Sequence, residues 1–144
     1  MTVGQSKAQV FLEQVELLDS VIRNKLIEKE QWRGIALGIT AHMDGERVQS
    51  SGAKSKMADA VAKCVDIEAE IDSLIDRLID TKKEVIQTIE KLSSPMEYNI
   101  MHMRYIQYIP LKDIADEMGT RYTNITTIHG RALKNIERFI RESE

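Results

Sequence analysis

Met57, Ala60, Cys64, Ile67, Ile71, Leu74, Leu78, Thr81, Val85, Thr88 and Leu92 succeed one another at alternating steps of three and four. A strand repeats its side chains every two residues, so a pattern held over five heptads can only be one stripe of a long helix. Ile75, Ile79, Ile86 and Ile89 widen that stripe beyond a two-stranded seam. A helix over residues 57–92 would run for roughly 54 Å, more than a small domain requires. Its apolar face must therefore be covered by another long helix, by a second chain, or by both.

A partner helix precedes it. Ala8, Phe11, Val15, Leu18, Ile22 and Leu26 fall on one helical face, and Trp32, Ile35, Ile39 and Met43 can continue it. Between the two patterns, residues 44–56 are rich in glycine, serine and charge without periodicity, which predicts a loop. Residues 1–92 thus read as a helical hairpin or coiled coil, expected to join copies of the chain through Ile71, Leu74, Leu78 and Val85. Few aromatics and only two prolines suit an all-α chain better than a sandwich of short strands.

Several function classes are disfavoured by composition. No aromatic lies between Trp32 and Tyr98, so this half lacks the stacking platforms that grip single-stranded nucleic acid. Glu68, Asp72, Asp76 and Asp80 make an acidic edge best read as a solvated face. The single cysteine, Cys64, cannot form an internal disulfide and falls within the apolar stripe, as a structural thiol would. Neither a signal peptide nor a run of about 18 apolar residues is present, which fits a cytoplasmic protein without a membrane partner. His42, His102 and His129 lack metal-ligand spacing, and no cofactor is expected. Glu13, Glu16 and Asp19 have the three-residue spacing of magnesium-dependent nucleotide pyrophosphohydrolases, but no matching acidic set follows on the long helix. No catalytic or metal residue is therefore assigned.

Residues 93–144 have a different character. Ser94, Pro95 and Glu97 spell a helix start with a capping box, and Met96, Ile100, Met103 and Ile106 or Ile109 supply an apolar face. Pro110 separates this helix from the next. Leu111, Ile114, Ala115 and Met118 then form a two-turn helix, and Gly119 allows a sharp left-handed turn. Ile125, Ile128, Ala132, Leu133, Ile136 and Ile140 line a second helix. A small residue, a glycine four later and a branched residue six after that are the requirements of a helix-turn-helix. Residues 121–141 carry five basic groups against Glu137 alone, whereas residues 1–92 hold 13 basic and 16 acidic groups. The basic excess is concentrated on the second helix, where DNA phosphates would need it.

The segment "IMHMRYIQYIPLKDIADEMGTRYTNITTIHGRALKNIERFI" resembles region 4 of the bacterial sigma-70 factors. That resemblance implies a helix after Gly119 that reads the major groove of duplex DNA, with RNA polymerase as a further partner. Carried over by position, Tyr122, Thr123, Asn124, Thr126 and Thr127 would face base edges, and Lys112, Arg121, Arg131 and Lys134 would face the backbone. The stretch "ITAHMDGERVQSSGAKSKMADAVAKCVDIEAEI" resembles small phage and prophage proteins of Gram-positive bacteria, which join such a coil to a sigma-4-like end, as do late-transcription activators of the ArpU type. The resemblances imply a DNA-binding transcriptional regulator. The alternative is a module that docks RNA polymerase or another protein without binding DNA.

Overall fold

The computed structural model describes residues 6–45 and 51–144, with side chains for all of these except 39–45, 51 and 53. The described chain is built of α1 (Lys7–Gly45), α2 (Ser51–Ile89), α3 (Pro95–Tyr105), α4 (Leu111–Met118) and α5 (Tyr122–Ser143). No strand occurs among the described residues. The loop expected over 44–56 is shorter than its composition suggests. Residues 44–45 and 51–56 are helical, and 46–50 lie outside the described residues. Alanine and lysine favour helix, and extending a nucleated helix costs little, so α2 outruns its apolar stripe.

α1 and α2 run antiparallel, with Lys25 Nζ 2.8 Å from Glu70 Oε2 and Lys29 Nζ 3.7 Å from Glu68 Oε1. The α2 stripe is used within the chain. Ala60, Ile67, Ile71, Val85, Ile89 and Leu92 are buried, while Leu74 and Leu78 are half-buried. Association through Ile71, Leu74, Leu78 and Val85 would therefore require the hairpin to open. Cys64 sits in the same seam with its Sγ 3.8 Å from the Lys29 carbonyl. On α1, Ala8, Leu12, Val15 and Ile22 are buried, but Leu26 is 47% exposed. A packed helix pair keeps a 3.5-residue repeat, which carries the seam from Ile22 to Lys25 and Lys29 and turns Leu26 outward. The lysine stems lie along the seam while their ammonium groups reach Glu70 and Glu68. Ile35 is likewise exposed, and the side chains of Ile39 and Met43 lie outside the described residues.

The chain divides into two compact units: Asp19–Arg77, and the flanking segments up to Leu18 and from Leu78. In the latter, Ala8, Leu12, Val15, Val85, Ile89, Leu92, Met101, Tyr105, Ala132 and Ile136 form one buried cluster. The hydrophobic core thus runs across residue 92. A second cluster of Ile100, Ile114, Ala115 and Ile125 holds α3, α4 and α5 together. On α3 the inward residues are Ile100, Met101 and Tyr105, whereas Met96 is 39% exposed.

α4 ends as the glycine demands. Gly119 has φ 65 and ψ 35; its N–H donates to Asp116 O at 3.2 Å, and the Thr120 N–H to Ala115 O at 3.0 Å. This paired arrangement closes a helix through a left-handed residue. A side chain at Gly119 would meet open space, so only the backbone conformation opposes substitution. Gly119→Val should lower the thermal unfolding midpoint, because a branched residue is strained there. Ala115→Leu should cost roughly 1–3 kcal/mol by overpacking between α4 and α5. Denaturant titration and calorimetry check both, and unchanged unfolding would remove the tight-crossing account of this turn.

Candidate nucleic-acid interface

α5 is held at one azimuth by both apolar and polar anchors. Ile125, Ala132 and Ile136 are fully buried. Glu137 Oε2 accepts from the Ala8 backbone N–H at 2.8 Å, supplying a partner for an amide of the first turn of α1 that no α1 carbonyl can reach. Asn135 Nδ2 donates at 2.8 Å to Oε1 of Glu97, a carboxylate residue only 6% exposed. The sequence predicts Glu97 as the closing member of a local capping box. Its backbone N–H does donate to the cap, lying 3.4 Å from Ser94 Oγ, but its side chain also ties α3 to α5. A buried carboxylate needs such a donor, and nothing in local spacing identifies one 38 residues away.

His129, on the same inward side, lies 2.7 Å through Nε2 from the Tyr105 hydroxyl. Burial pushes the His129 pKa below its ordinary 6.5, and the nearby Arg104 guanidinium adds to the shift. Burial pushes Tyr105 up to about 12. His129 is thus neutral near pH 7, and its Nε2 and the Tyr105 hydroxyl form one hydrogen bond in which either tautomer of the neutral ring can take part. Because the folded pKa of His129 lies below the unfolded value, this pair's contribution is complete above pH 6.5 and declines as pH falls below it. The unfolding midpoint of the native protein should drop more steeply between pH 7 and pH 5 than that of His129→Gln. Parallel slopes would exclude this coupling.

The outward side carries the remaining candidates. Asn124, Thr127, Arg131 and Lys134 follow at steps of three and four, and all are exposed. Arg138 and Arg141 continue the same exposed row, which covers about 25 Å along the helix. These two arginines lie in the basic segment, yet positional carry-over from the sigma-like motif did not reach them. Their spacing from Lys134 would have sufficed. Thr123, Arg121 and, on α4, Lys112 are also exposed. Tyr122, 52% exposed, and the half-buried Thr126 share a neighbouring edge rather than this row.

Local hydrogen bonds shape what this surface can offer. Asn124 Nδ2 donates to Thr120 Oγ1 at 3.0 Å, and the hydroxyls of Thr126 and Thr127 donate to the Thr123 carbonyl at 2.9 and 2.8 Å. Each of these side chains is thereby oriented, with oxygen lone pairs still available as acceptors.

The acidic residues of α1 have other partners. Glu16 Oε1 lies 3.5 Å from Arg104 Nη1, and Asp19 Oδ1 lies 3.9 Å from Arg23 Nε. Among the described residues no group of three histidine, cysteine or acidic side chains is placed to hold a metal ion. No described helix is long and apolar enough to cross a membrane.

A family described as a protein of unknown function (DUF1492) matches residues 39–137. The chain belongs to this family. The matched region takes in α2, α3, α4 and α5 as far as Glu137, and so includes the Gly119 turn and the row up to Lys134. No match to the chain comes from the curated proteins or the solved structures.

Proposed function

We propose that the protein is a DNA-binding transcriptional regulator that lays the first half of α5 in the major groove of duplex DNA. The observation that carries this reading is the exposed row from Asn124 to Arg141, set on a helix whose opposite side is fixed in the core. Short hydrogen-bonding side chains occupy its first turns and four cations its later ones. That order matches the division between base contacts, which specify, and phosphate contacts, which position. Thr123, Asn124 and Thr127 are the base-reading residues on this account, with Tyr122 and Thr126 at the edge. Lys112, Arg121, Arg131 and Lys134 hold the backbone. The resemblance to sigma-70 region 4 supports the same assignment, and the resemblance to phage and prophage proteins supports a role in phage transcription.

A second reading has one observation in its favour. Asn124, Thr126 and Thr127 all direct a donor to their own chain, and residues 122–127 carry no charge. A surface of that kind can dock RNA polymerase or another protein instead of DNA.

Titration of the full chain against random duplex DNA at several salt concentrations separates the two. Binding should weaken as salt rises, and Arg131→Ala should lower affinity for all sequences and flatten the logarithmic salt dependence by about one unit. On a site selected from random duplexes, Asn124→Ala should cost roughly 1–3 kcal/mol, with little effect on a scrambled control. Absence of duplex binding at low salt would leave protein docking as the better account.

A further inference from the structure

Asn124 carries a side chain whose hydrogen-bonding capacity is partly committed within the chain. Its Nδ2 donates to Thr120 Oγ1 at 3.0 Å. An asparagine amide has two N–H donors and one carbonyl oxygen that accepts. With one donor directed to Thr120, the exposed amide is left with a single N–H and its Oδ1. The last torsion of an asparagine is broad and roughly two-fold, so an exposed amide without a partner readily exchanges the places of oxygen and nitrogen. The bond to Thr120 opposes that exchange.

Thr120 is a firm point from which to hold the amide. It follows the left-handed Gly119, and its own N–H is bound to Ala115 O at 3.0 Å. It is half-buried, whereas Asn124 is exposed. Thr120 precedes the N-cap residue Arg121, and Asn124 is the third residue of α5. A helix start ordinarily draws an acceptor from its N-cap side chain, but Arg121 makes no such bond. The Asn124 backbone N–H is met within the turn instead, by Arg121 O at 3.0 Å. The threonine hydroxyl is therefore not spent on that amide and serves the asparagine side chain.

Resting on the reading of α5 as a DNA-recognition helix, we propose that Thr120 is a positioning residue that makes Asn124 select adenine. In the major groove adenine offers a donor at N6 beside an acceptor at N7, and guanine offers two acceptors. Cytosine offers a donor alone, and thymine an acceptor alone. One N–H and one carbonyl oxygen can both be satisfied only by adenine. Against guanine, Oδ1 would face another acceptor with no hydrogen between them. The second amide hydrogen, which would bring guanine into play, is held by Thr120. Fixing the amide before DNA arrives also lowers the ordering cost of binding. Thr120 needs no contact with DNA on this account, because it acts through Asn124.

The test uses the full chain and a duplex selected from random sequence, with each base pair then replaced in turn. Asn124→Ala identifies the pair that Asn124 reads, as the one whose replacement ceases to matter. That pair should hold adenine, and the native chain should prefer it over guanine there by about tenfold or more. Thr120→Val, which keeps the branched shape without the acceptor, should reduce this preference about three- to tenfold and leave other positions unchanged. Thr120→Ala should do the same, and Thr120→Ser should retain the preference, with circular dichroism to show that each variant is folded. A role confined to holding the turn would lower affinity for every sequence alike and keep the adenine preference, a result that overturns the proposal. Guanine as the selected base would also overturn it, since that base requires both amide hydrogens to be free. Either result leaves α5 as the reading helix. No duplex binding at low salt, or an Asn124→Ala chain with unaltered preferences throughout, overturns that reading and the role of Thr120 with it.

Discussion

The buried cluster of Leu12, Val15, Val85, Ile89, Met101, Ala132 and Ile136 is the constraint on which the C-terminal helices depend. α3, α4 and α5 contain 11, 8 and 22 residues, and helices of the two shorter lengths are marginal in water on their own. Each large apolar side chain removed from water contributes roughly 1.5–3 kcal/mol. Here those side chains are supplied by the base of the hairpin as well as by α3 and α5, and α4 is held through its packing on those two. The smaller cluster around Ile100, Ile114, Ala115 and Ile125 fixes the turn, but it holds only one fully buried residue of α5, Ile125, with Ile128 packed beside it. Most of the grip on α5 comes from the cluster at the hairpin base and from the polar anchors beside it.

Features that repeat locally were legible in the sequence. The α2 seam from Ala60 to Leu92, the two-turn α4, the left-handed Gly119 and the inward residues of α5 all follow from periodicity or from a single backbone requirement. Their physics is short-ranged: a helix repeats every 3.6 residues, and only glycine takes a left-handed turn without penalty. The exposed part of the candidate site was legible for the same reason. Once the inward residues of α5 are known, Asn124, Thr127, Arg131 and Lys134 are left outside.

What was not legible depended on groups distant in sequence. Leu26 fits a helical stripe, yet the coiling of α1 around α2 puts Lys25 and Lys29 in the seam instead. Both lysines are half-buried, and their ammonium groups reach Glu70 and Glu68 across the hairpin. Glu97 looks like a capping residue until Asn135 meets its carboxylate, and Glu137 looks like an isolated acid until it meets the Ala8 amide. Tyr108, at φ 62, occupies a left-handed conformation that an aromatic residue rarely adopts, and its neighbours in sequence give no notice of it. The Ile109 N–H bond to Met103 O at 3.0 Å shows how tightly the connection from α3 to α4 folds back.

These distant contacts bear directly on what α5 can present. A helix held only by aliphatic side chains can slip in azimuth, since one apolar contact resembles another. His129, Asn135 and Glu137 remove that freedom, because each has a specific partner at hydrogen-bond distance and would be left unsatisfied by a small rotation. A rotation of one residue, about 100°, would bury Thr127 or Arg131 and expose Ile125 or Ala132. The inward polar residues therefore determine which outward residues form the row, although none of them faces solvent in that row. The Glu137 carboxylate lies among four cations of α5 and is directed to the start of α1, which leaves the outward row uniformly basic beyond Thr127. The one acidic side chain on that stretch serves the core, and the surface it vacates is the surface best suited to an anionic partner.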